Sequence, residues 1–373
     1  MVSVRWLNTA TLSAQEVANW TELAEGAATP NPFYEPDFVL PAVKHFGESE
    51  LELLVAIDAA GNWIGLLPVV RRRRWGRLVG AALTSWAHPH CFLESPLLLS
   101  GFEDRAAEAV LGEARREAGL IAFERLPTEG PAASALASAG DALGAKQIVW
   151  KRFERAALVR RPDDDYVRST LGSKHFRDLG RRRRKLEREV GDITFVERAG
   201  DPRAVDDFLE LEVAGWKGNT GTALACGPGA EFFRMICRGF AEAGRLQMFA
   251  MQAADRTVAI QSSLIAGDGL FCFKIAYDES LKSFSPGTQL MVETASEFHR
   301  RSELQWVDSC SKPKSDAIER LWPDRRELST VLVPGTGAKG AAVSVEAKVA
   351  ARLRETLRPD GDSVSPLSKA GGR

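Results

Sequence analysis

Several absences narrow the classes of protein to which this chain can belong. The five cysteines are odd in number and contain no C-x-x-C pair, which argues against a disulfide framework and a structural zinc site. The five histidines show no metal-ligand spacing either, so no metal is predicted. No stretch approaches eighteen uninterrupted apolar residues, and the opening MVSVRWLNTATLSAQEV lacks the regions of a signal peptide. We therefore expect a cytoplasmic protein without a membrane span.

The charge of the chain is balanced overall but concentrated locally. The formal net charge of the 373 residues is −1, and the apolar content of 45% is ordinary for a globular protein. In contrast, KHFRDLGRRRRKLER (174 to 188) predicts a very basic helix over about residues 171–190. Such a helix can bind tRNA, an anionic membrane face or an anionic polysaccharide precursor, or it can simply be solvated. The candidate polyanion-binding residues are Lys174, Arg177, Arg181 and Arg184.

Two α/β halves follow one another along the chain. Each half contains a strand pair around a turn, ELELLVAIDAAGNWIGLLPVV in the first and TVAIQSSLIAGDGLFCFKIAYD in the second, with helices on either side. This rhythm predicts a structural duplication, although no sequence repeat is visible. We predict one domain over residues 1–152, a second over 153–335 and a tail over 336–373. Within the tail, VSVEAKVAARLRETL can form a short helix and DGDSVSPLSKAGGR is expected to be disordered.

The stretch SFSPGTQLMVETASEFHRR (283 to 301) predicts a tight turn and then an amphipathic helix between two strands. Ser285 suits the N-cap position, and Pro286 suits the first helical position, where no N–H is needed. Gly287 would let a ligand approach the backbone closely. Because free N–H groups at a helix N-terminus attract anions, this turn is a candidate anion site.

Several phrases of the sequence resemble one family of enzymes. ELEVAGWKGNTGTAL (210 to 224), YDESLKSFSPGTQLMVE (277 to 293) and VDSCSKPKSDAIERLWPDRRELSTVLV (307 to 333) look like the GNAT-type acetyltransferases of the CelD/BcsL cellulose-biosynthesis group. NPFYEPDF and WAHPHCFLESPLL in the first half are similar to the same group. The likeness covers roughly residues 30–335. A more distant likeness extends to the FemABX aminoacyl transferases, which share a tandem GNAT-like architecture.

The resemblance implies a fold, a reaction and a donor. The implied fold is two tandem GNAT-like α/β domains, each with a mixed central sheet flanked by helices. The implied enzyme moves an acyl group, most simply acetyl from acetyl-CoA, to an amino or hydroxyl acceptor in exopolysaccharide, cellulose or envelope synthesis. In GNAT folds the turn between a central strand and the next helix receives the pyrophosphate of acyl-CoA. Here the implied donor-binding residues are Ser285, Gly287, Thr288 and Gln289.

Two other functions stay open. The usual (R/Q)-x-x-G-x-(G/A) loop is absent from the SPGTQL turn, and a match at Arg77–Ala82 is not followed by a helical pattern. Since the Fem-like relatives use aminoacyl-tRNA, the donor can instead be a charged tRNA, which the basic helix favours. A catalytically silent scaffold that binds a nucleotide or a polysaccharide synthase is the third hypothesis.

Three residues are candidates for the chemistry of acyl transfer, which needs a base and a proton donor for the leaving thiolate. Glu212 lies four residues before Trp216 on a predicted helix face, and burial would raise its pKa towards that of a useful base. Asp308 ends a predicted strand and could orient the substrate or act as a base. Tyr277 ends another strand and could protonate the thiolate. Each also has a plain structural interpretation: a solvated carboxylate, a loop cap and a buried tyrosine, respectively.

A second set of residues combines aromatic planes with positive charge. Arginine suits bidentate recognition of carboxylate or phosphate, whereas a salt bridge with Asp324 or Glu327 is the structural alternative for the arginine pair in ERLWPDRRE. A lysine in the loop after Trp216 could hold a phosphate or an acidic sugar. The candidate substrate-binding residues are Trp216, Lys217, Trp322, Arg325 and Arg326.

Overall fold

The computed structural model describes residues 2–47, 51–78, 80–162, 166–312 and 316–357. These residues form two compact units. Unit 1 takes its described residues from 1–36, 48–153 and 327–373, and unit 2 takes its own from 37–47 and 154–326. The domain ranges drawn from the sequence stay a prediction. The disorder expected for residues 360–373 lies outside the described residues.

Thirteen strands occur in the described residues. They are β1 (Ser3–Asn8), β2 (Leu51–Ile57), β3 (Trp63–Arg72), β4 (Ala82–Ser85), β5 (Leu97–Leu98), β6 (Leu120–Pro127), β7 (Ile148–Val159), β8 (Ile193–Glu197), β9 (Leu246–Ala253), β10 (Arg256–Ala266), β11 (Gly269–Tyr277), β12 (Trp306–Asp308) and β13 (Asp324–Pro334).

Eleven α-helices accompany these strands in the described part of the chain. They are α1 (Ala14–Glu25), α2 (Pro36–Phe46), α3 (Glu103–Glu117), α4 (Pro131–Ala142), α5 (Tyr166–Glu189), α6 (Ala204–Ala214), α7 (Trp216–Asn219), α8 (Gly229–Glu242), α9 (Pro286–Arg300), α10 (Asp316–Leu321) and α11 (Gly337–Leu357).

In unit 1 the strands follow the order β1-β2-β3-β4-β6-β13, with the short β5 paired to β3. Neighbouring strands are antiparallel except for β4 and β6, which are parallel. The helix predicted in the tail is confirmed, because α11 places Val343 and Ala347 in a buried cluster with Trp75 and Leu332. The Arg77–Ala82 match leads into strand β4 and does not open a helix, and its Val79 lies outside the described residues.

In unit 2 the order is β8-β9-β10-β11-β12, followed by the last residues of β7. Here β11 and β12 form the parallel pair, and their other neighbours are antiparallel. Alternate residues of β11 point to opposite faces of the sheet. Phe273 packs against Phe38 and Phe233, whereas Cys272 lies in a buried cluster with Phe298 of α9.

The two units repeat one strand topology. In each path of six strands the first four are antiparallel, the fifth is parallel to the fourth, and the sixth is antiparallel to the fifth. In each unit that final strand lies apart from the others along the chain, since β13 closes the sheet of unit 1 and the end of β7 closes the sheet of unit 2. The predicted fold class, two α/β units with mixed sheets flanked by helices, is confirmed.

Candidate active site

The parallel pairing of β11 with β12 is short, and a cavity opens where it ends. The last paired residues are Phe271 and Asp308. Beyond them, residues 272–275 of β11 and 309–312 after β12 line a cavity of about 290 Å³ in unit 2. We call it the β11–β12 cavity. It lies beyond the carboxyl end of β12, where the parallel pairing stops, and α/β sheets commonly bind ligands beyond the carboxyl ends of parallel strands.

Three lysines line the β11–β12 cavity: Lys217 from α7, Lys274 from β11 and Lys312 after β12. Burial, reinforced by the positive charge of Lys217, lowers the pKa of Lys274 to about 8. The Lys274 ammonium also lies 5.2 Å from the centre of the Phe273 ring. A lysine with such a pKa is partly neutral near physiological pH, so it can accept a proton from a substrate.

Glu212, the predicted base, is buried and both of its carboxylate oxygens accept hydrogen bonds. Lys217 Nζ donates to Oε1 at 2.6 Å, and the backbone N–H of Leu224 donates to Oε2 at 2.8 Å. The carboxylate thereby holds Lys217 and the following loop in place. Glu212 does not line the β11–β12 cavity. A catalytic role for it stays a prediction.

The shared helix face predicted for Glu212 and Trp216 is wrong. Helix α6 ends at Ala214, and α7 begins at Trp216. Between them, a Cβ on Gly215 would lie only 2.7 Å from Glu279 Oε1, which accepts the Trp216 N–H at 2.9 Å. The chain therefore breaks at this glycine and leaves the Trp216 side chain exposed.

Asp308 lies at the centre of a buried ion-pair cluster. Arg155 Nη2 and Arg326 Nη1 donate to Oδ2 at 2.6 and 2.8 Å, and the Cys310 N–H donates to Oδ1 at 2.9 Å. Burial alone would raise the pKa of Asp308, but the two guanidinium groups outweigh it and hold the pKa below its ordinary value. A carboxylate so stabilised is a poor proton acceptor, which favours its structural role.

The aromatic–arginine set around Trp322 does not form one site. The Trp322 side chain is fully buried. Arg325 donates to the carbonyl oxygens of Trp322 and Glu319 at 2.7 and 3.0 Å. Arg326 stacks over the Trp306 ring at 4.8 Å, and its partner is Asp308 rather than the expected Asp324 or Glu327.

The predicted donor turn begins α9, and Ser285 takes the predicted N-cap position, but its side chain does not cap the helix. Ser285 adopts the left-handed conformation, with φ of 57°, and makes no capping hydrogen bond. Its hydroxyl instead accepts a hydrogen bond of 2.7 Å from Arg182 Nη1 of α5. The turn therefore carries the N-terminus of a helix, which favours an anion, and a guanidinium group whose Nε is also paired with Asp178 at 2.9 Å.

Gly287 is buried against Tyr277. A Cβ at Gly287 would lie 3.2 Å from Tyr277 Cδ1, a tight contact that the ring could relieve only by shifting a few tenths of an ångström. Gln289 is buried too: its Nε2 donates to the Phe284 carbonyl at 2.9 Å, and its Oε1 has no hydrogen-bond partner within the described residues. Thr288 is half-buried.

The cysteines near the cavity are held as thiols. Burial raises the pKa of Cys272 to about 12 and raises that of Cys310 well above its ordinary value. Since the thiolate is the nucleophilic form, neither is prepared to attack an acyl donor. In the described part of the chain, no three His, Cys, Asp or Glu side chains are grouped to hold a metal ion. None of the described helices is both long and apolar enough to cross a membrane.

Lys274 and Lys312 are candidate site residues that the sequence reasoning missed. Lys274 stands inside GLFCFKIAY, where a charged residue interrupts an apolar strand. That interruption is a usable signal, because a lysine within a mostly apolar and buried strand commonly has a partner or a function. Lys312 gives no such signal, because its place beside Lys274 depends on the β11–β12 pairing.

A family model matches the part of the chain that contains the β11–β12 cavity. Residues 173–313 match the family model described as an acetyltransferase (GNAT) domain. Every residue that lines the β11–β12 cavity falls within this segment except Ile318. The segment is therefore a GNAT acetyltransferase domain, and the prediction of a GNAT-type acyltransferase is confirmed. Among curated proteins, no match to the sequence was found.

Solved structures share the fold at low sequence identity. FemX is 10% identical, with a TM-score of 0.57 over 88% of this chain and 96% of that chain. The C-terminal domain of a putative lysylphosphatidylglycerol synthetase from Agrobacterium fabrum is 11% identical, with a TM-score of 0.53 over 90% of this chain and 96% of that chain. A conserved protein of unknown function from Bacteroides thetaiotaomicron is 9% identical, with a TM-score of 0.54 over 90% and 100%. These likenesses establish the fold alone.

Proposed function

We propose that the protein transfers an acyl group, most simply acetyl, from acyl-CoA to an amino or hydroxyl acceptor at the β11–β12 cavity. The observation that carries this proposal is Lys274, which is half-buried in the wall of this cavity within the acetyltransferase domain. Its pKa of about 8 suits a general base, because a base works best when its pKa lies near the working pH.

The chemistry with an amine acceptor follows from this base. The acceptor nitrogen attacks the thioester carbonyl, a C–N bond forms and the C–S bond breaks. Neutral Lys274 takes the proton that the nitrogen loses, and the resulting ammonium returns it to the leaving thiolate, so that the products are an amide and free CoA. The ammonium groups of Lys217 and Lys312, at the same cavity, stabilise the negative charge that develops on the carbonyl oxygen.

We assign the donor's phosphates to the turn before α9, at Ser285, Gly287 and Thr288. Gln289 at the same turn donates its backbone N–H to the Ser285 carbonyl at 3.0 Å and its Nε2 to the Phe284 carbonyl, so it supports the turn. Support comes from the N-terminus of α9 and from the Arg182 guanidinium on Ser285. Tyr277 packs beside this turn at the end of β11, which keeps it as a candidate proton donor. Glu212 supports Lys217, and Asp308 fixes the end of β12.

The proposal is tested with acetyl-CoA and a panel of amine acceptors that includes glucosamine and spermidine, with products identified by mass spectrometry. Lys274→Gln should lower acetyl transfer by roughly 10²-fold or more. Lys282→Gln, at an exposed lysine outside the cavity, is the matched control and should be unchanged. Transfer by Lys274→Gln at the wild-type rate would overturn the assignment of the base.

The proposal names neither a specific acceptor nor a donor to the exclusion of others, and each has a first alternative to examine. The resemblance to the CelD/BcsL group makes a glycan precursor the first acceptor to examine, together with a partnership with polysaccharide-synthesis enzymes. The fold shared with FemX, together with the basic helix α5, supports an aminoacyl-tRNA donor as a second candidate. Turnover with aminoacyl-tRNA but with no acyl-CoA would select that donor. No turnover with either donor would favour the scaffold hypothesis.

A further inference from the structure

Helix α5 displays a one-sided stripe of positive charge. Five exposed side chains recur at intervals of three and four residues, and we call them the α5 stripe: Lys174, Arg177, Arg181, Arg184 and Arg188. At 3.6 residues per turn they fall within an arc of about 80°, and at 1.5 Å per residue they span about 21 Å. Of the five, only Arg181 has an ion-pair partner among the described residues, Asp178 at 2.5 Å.

The opposite side of α5 is anchored to unit 2, which fixes the direction of the stripe. Leu186 is fully buried. Arg183 pairs with Glu293 of α9 at 3.0 Å and stacks over the Phe195 ring at 4.7 Å. Arg182 contacts Ser285. Because the helix is already held in place, a ligand on the stripe would not have to order it first.

The composition of the stripe favours phosphodiesters over a lipid surface. Four of its five members are arginine, whose planar guanidinium can bind two phosphate oxygens at once. A helix that lies in a membrane interface buries an apolar face in the lipid. None of the exposed large hydrophobic side chains in the described part of the chain lies on α5.

We propose that the α5 stripe binds the phosphate backbone of a structured RNA. With no exposed aromatic side chain among its members, the stripe would contact phosphates and not stack on bases. The net charge of the whole chain is −1, so the attraction is local to this helix. An aminoacyl-tRNA donor would need such binding, but RNA binding by the stripe does not need that donor, because the stripe does not line the β11–β12 cavity.

Binding is measured by fluorescence anisotropy with fluorescein-labelled, unfractionated tRNA over a series of KCl concentrations. Each phosphate neutralised contributes about −0.7 to −0.9 to the slope of log K against log salt, so five contacts predict a slope of about −4. The variant Arg177→Glu/Arg184→Glu should bind at least tenfold more weakly. Its slope should be shallower by about two.

The matched control is Arg238→Glu/Arg300→Glu, which makes the same change in net charge at exposed arginines outside the stripe. It should bind tRNA within twofold of wild type. Melting temperatures and acetyl-CoA affinity are measured on the same samples, and both should be unchanged in the stripe variant. Equal tRNA binding by wild type and stripe variant would overturn the proposal. So would stripe-dependent binding to phosphatidylglycerol vesicles without binding to tRNA, since it would assign the helix to a membrane surface.

Discussion

Lys217 Nζ lies 2.6 Å from Glu212 Oε1, so the carboxylate that the sequence offered as a base is paired with a lysine of the β11–β12 cavity. This pairing leaves Lys274 as the cavity group with a pKa suited to proton transfer. The roles are therefore divided: the carboxylate positions one ammonium, and that ammonium helps to lower the pKa of another.

The first prediction concerns the pH dependence of acyl transfer. If the neutral form of Lys274 is the base, as proposed, kcat/KM should rise with pH and level off above about pH 8. Lys217→Met removes a nearby positive charge and leaves Glu212 unneutralised, and both changes raise the pKa of Lys274. The rising limb should therefore move to higher pH and the rate at pH 7 should fall. A limb that stays in place in Lys217→Met would show that another group titrates.

The second prediction separates support from catalysis at Glu212. Glu212→Gln weakens the hydrogen bonds to Lys217 and Leu224, and it should lower the free energy of unfolding by roughly 1–3 kcal/mol. Urea denaturation measures this change, and the exposed Glu210→Gln is the control, with an expected loss below about 0.5 kcal/mol. A variant of unchanged stability whose transfer rate drops 10²-fold would restore Glu212 as the base.

The third prediction concerns the ion-pair cluster at Asp308. Asp308→Asn leaves Arg155 and Arg326 without their charged partner in a buried site, which should cost about 3–5 kcal/mol of unfolding free energy. The exposed Asp255→Asn should cost almost nothing. Chemical denaturation at pH 7 makes the comparison.

The pH dependence of stability supplies a further check on Asp308. Because its pKa is depressed in the folded protein, its contribution is present above its unfolded pKa of about 3.9 and is lost as the pH falls through the lower folded value. Wild type should therefore lose more stability than Asp308→Asn when the pH is lowered below about 4. Parallel losses in the two proteins would contradict a depressed pKa.

Periodicity in the sequence predicted the strand pairs β2–β3 and β10–β11 and the order of β11, α9 and β12, because these elements show a clear apolar pattern. Strands β1, β4, β5 and β13 were not predicted. Helix α4 was missed. Its sequence, PAASALASAGDA, consists mostly of small residues and carries little contrast between its faces. Because small residues are also common in loops, the composition of this segment did not distinguish a helix from a loop.

The partners of the site residues could not be predicted in the same way. Arg155 and Asp308 are 153 positions apart, and only the pairing of β7 with β12 brings them together. The division of roles between Glu212 and Lys274 likewise depends on which of them faces the cavity, which no local pattern specifies. Sequence therefore indicated some candidate residues, such as Lys217, but not Lys274 or Lys312, nor which side chains neutralise one another.

The last prediction tests the turn before α9, where packing and ligand binding must be separated. Gly287→Val places a branched side chain against the Tyr277 ring, and we expect the free energy of unfolding to fall by about 1–3 kcal/mol. In a Tyr277→Ala background the same substitution should lower the free energy of unfolding by a smaller amount, so the effects of the two changes should not be additive. Urea denaturation of the four proteins in this cycle measures the coupling, and calorimetry with acetyl-CoA is performed on each.

If the turn holds the donor's phosphate, Gly287→Val/Tyr277→Ala should bind acetyl-CoA more weakly than Tyr277→Ala does. Equal affinity in these two proteins would mean that Gly287 serves packing alone, and it would move the donor's phosphates to another part of unit 2.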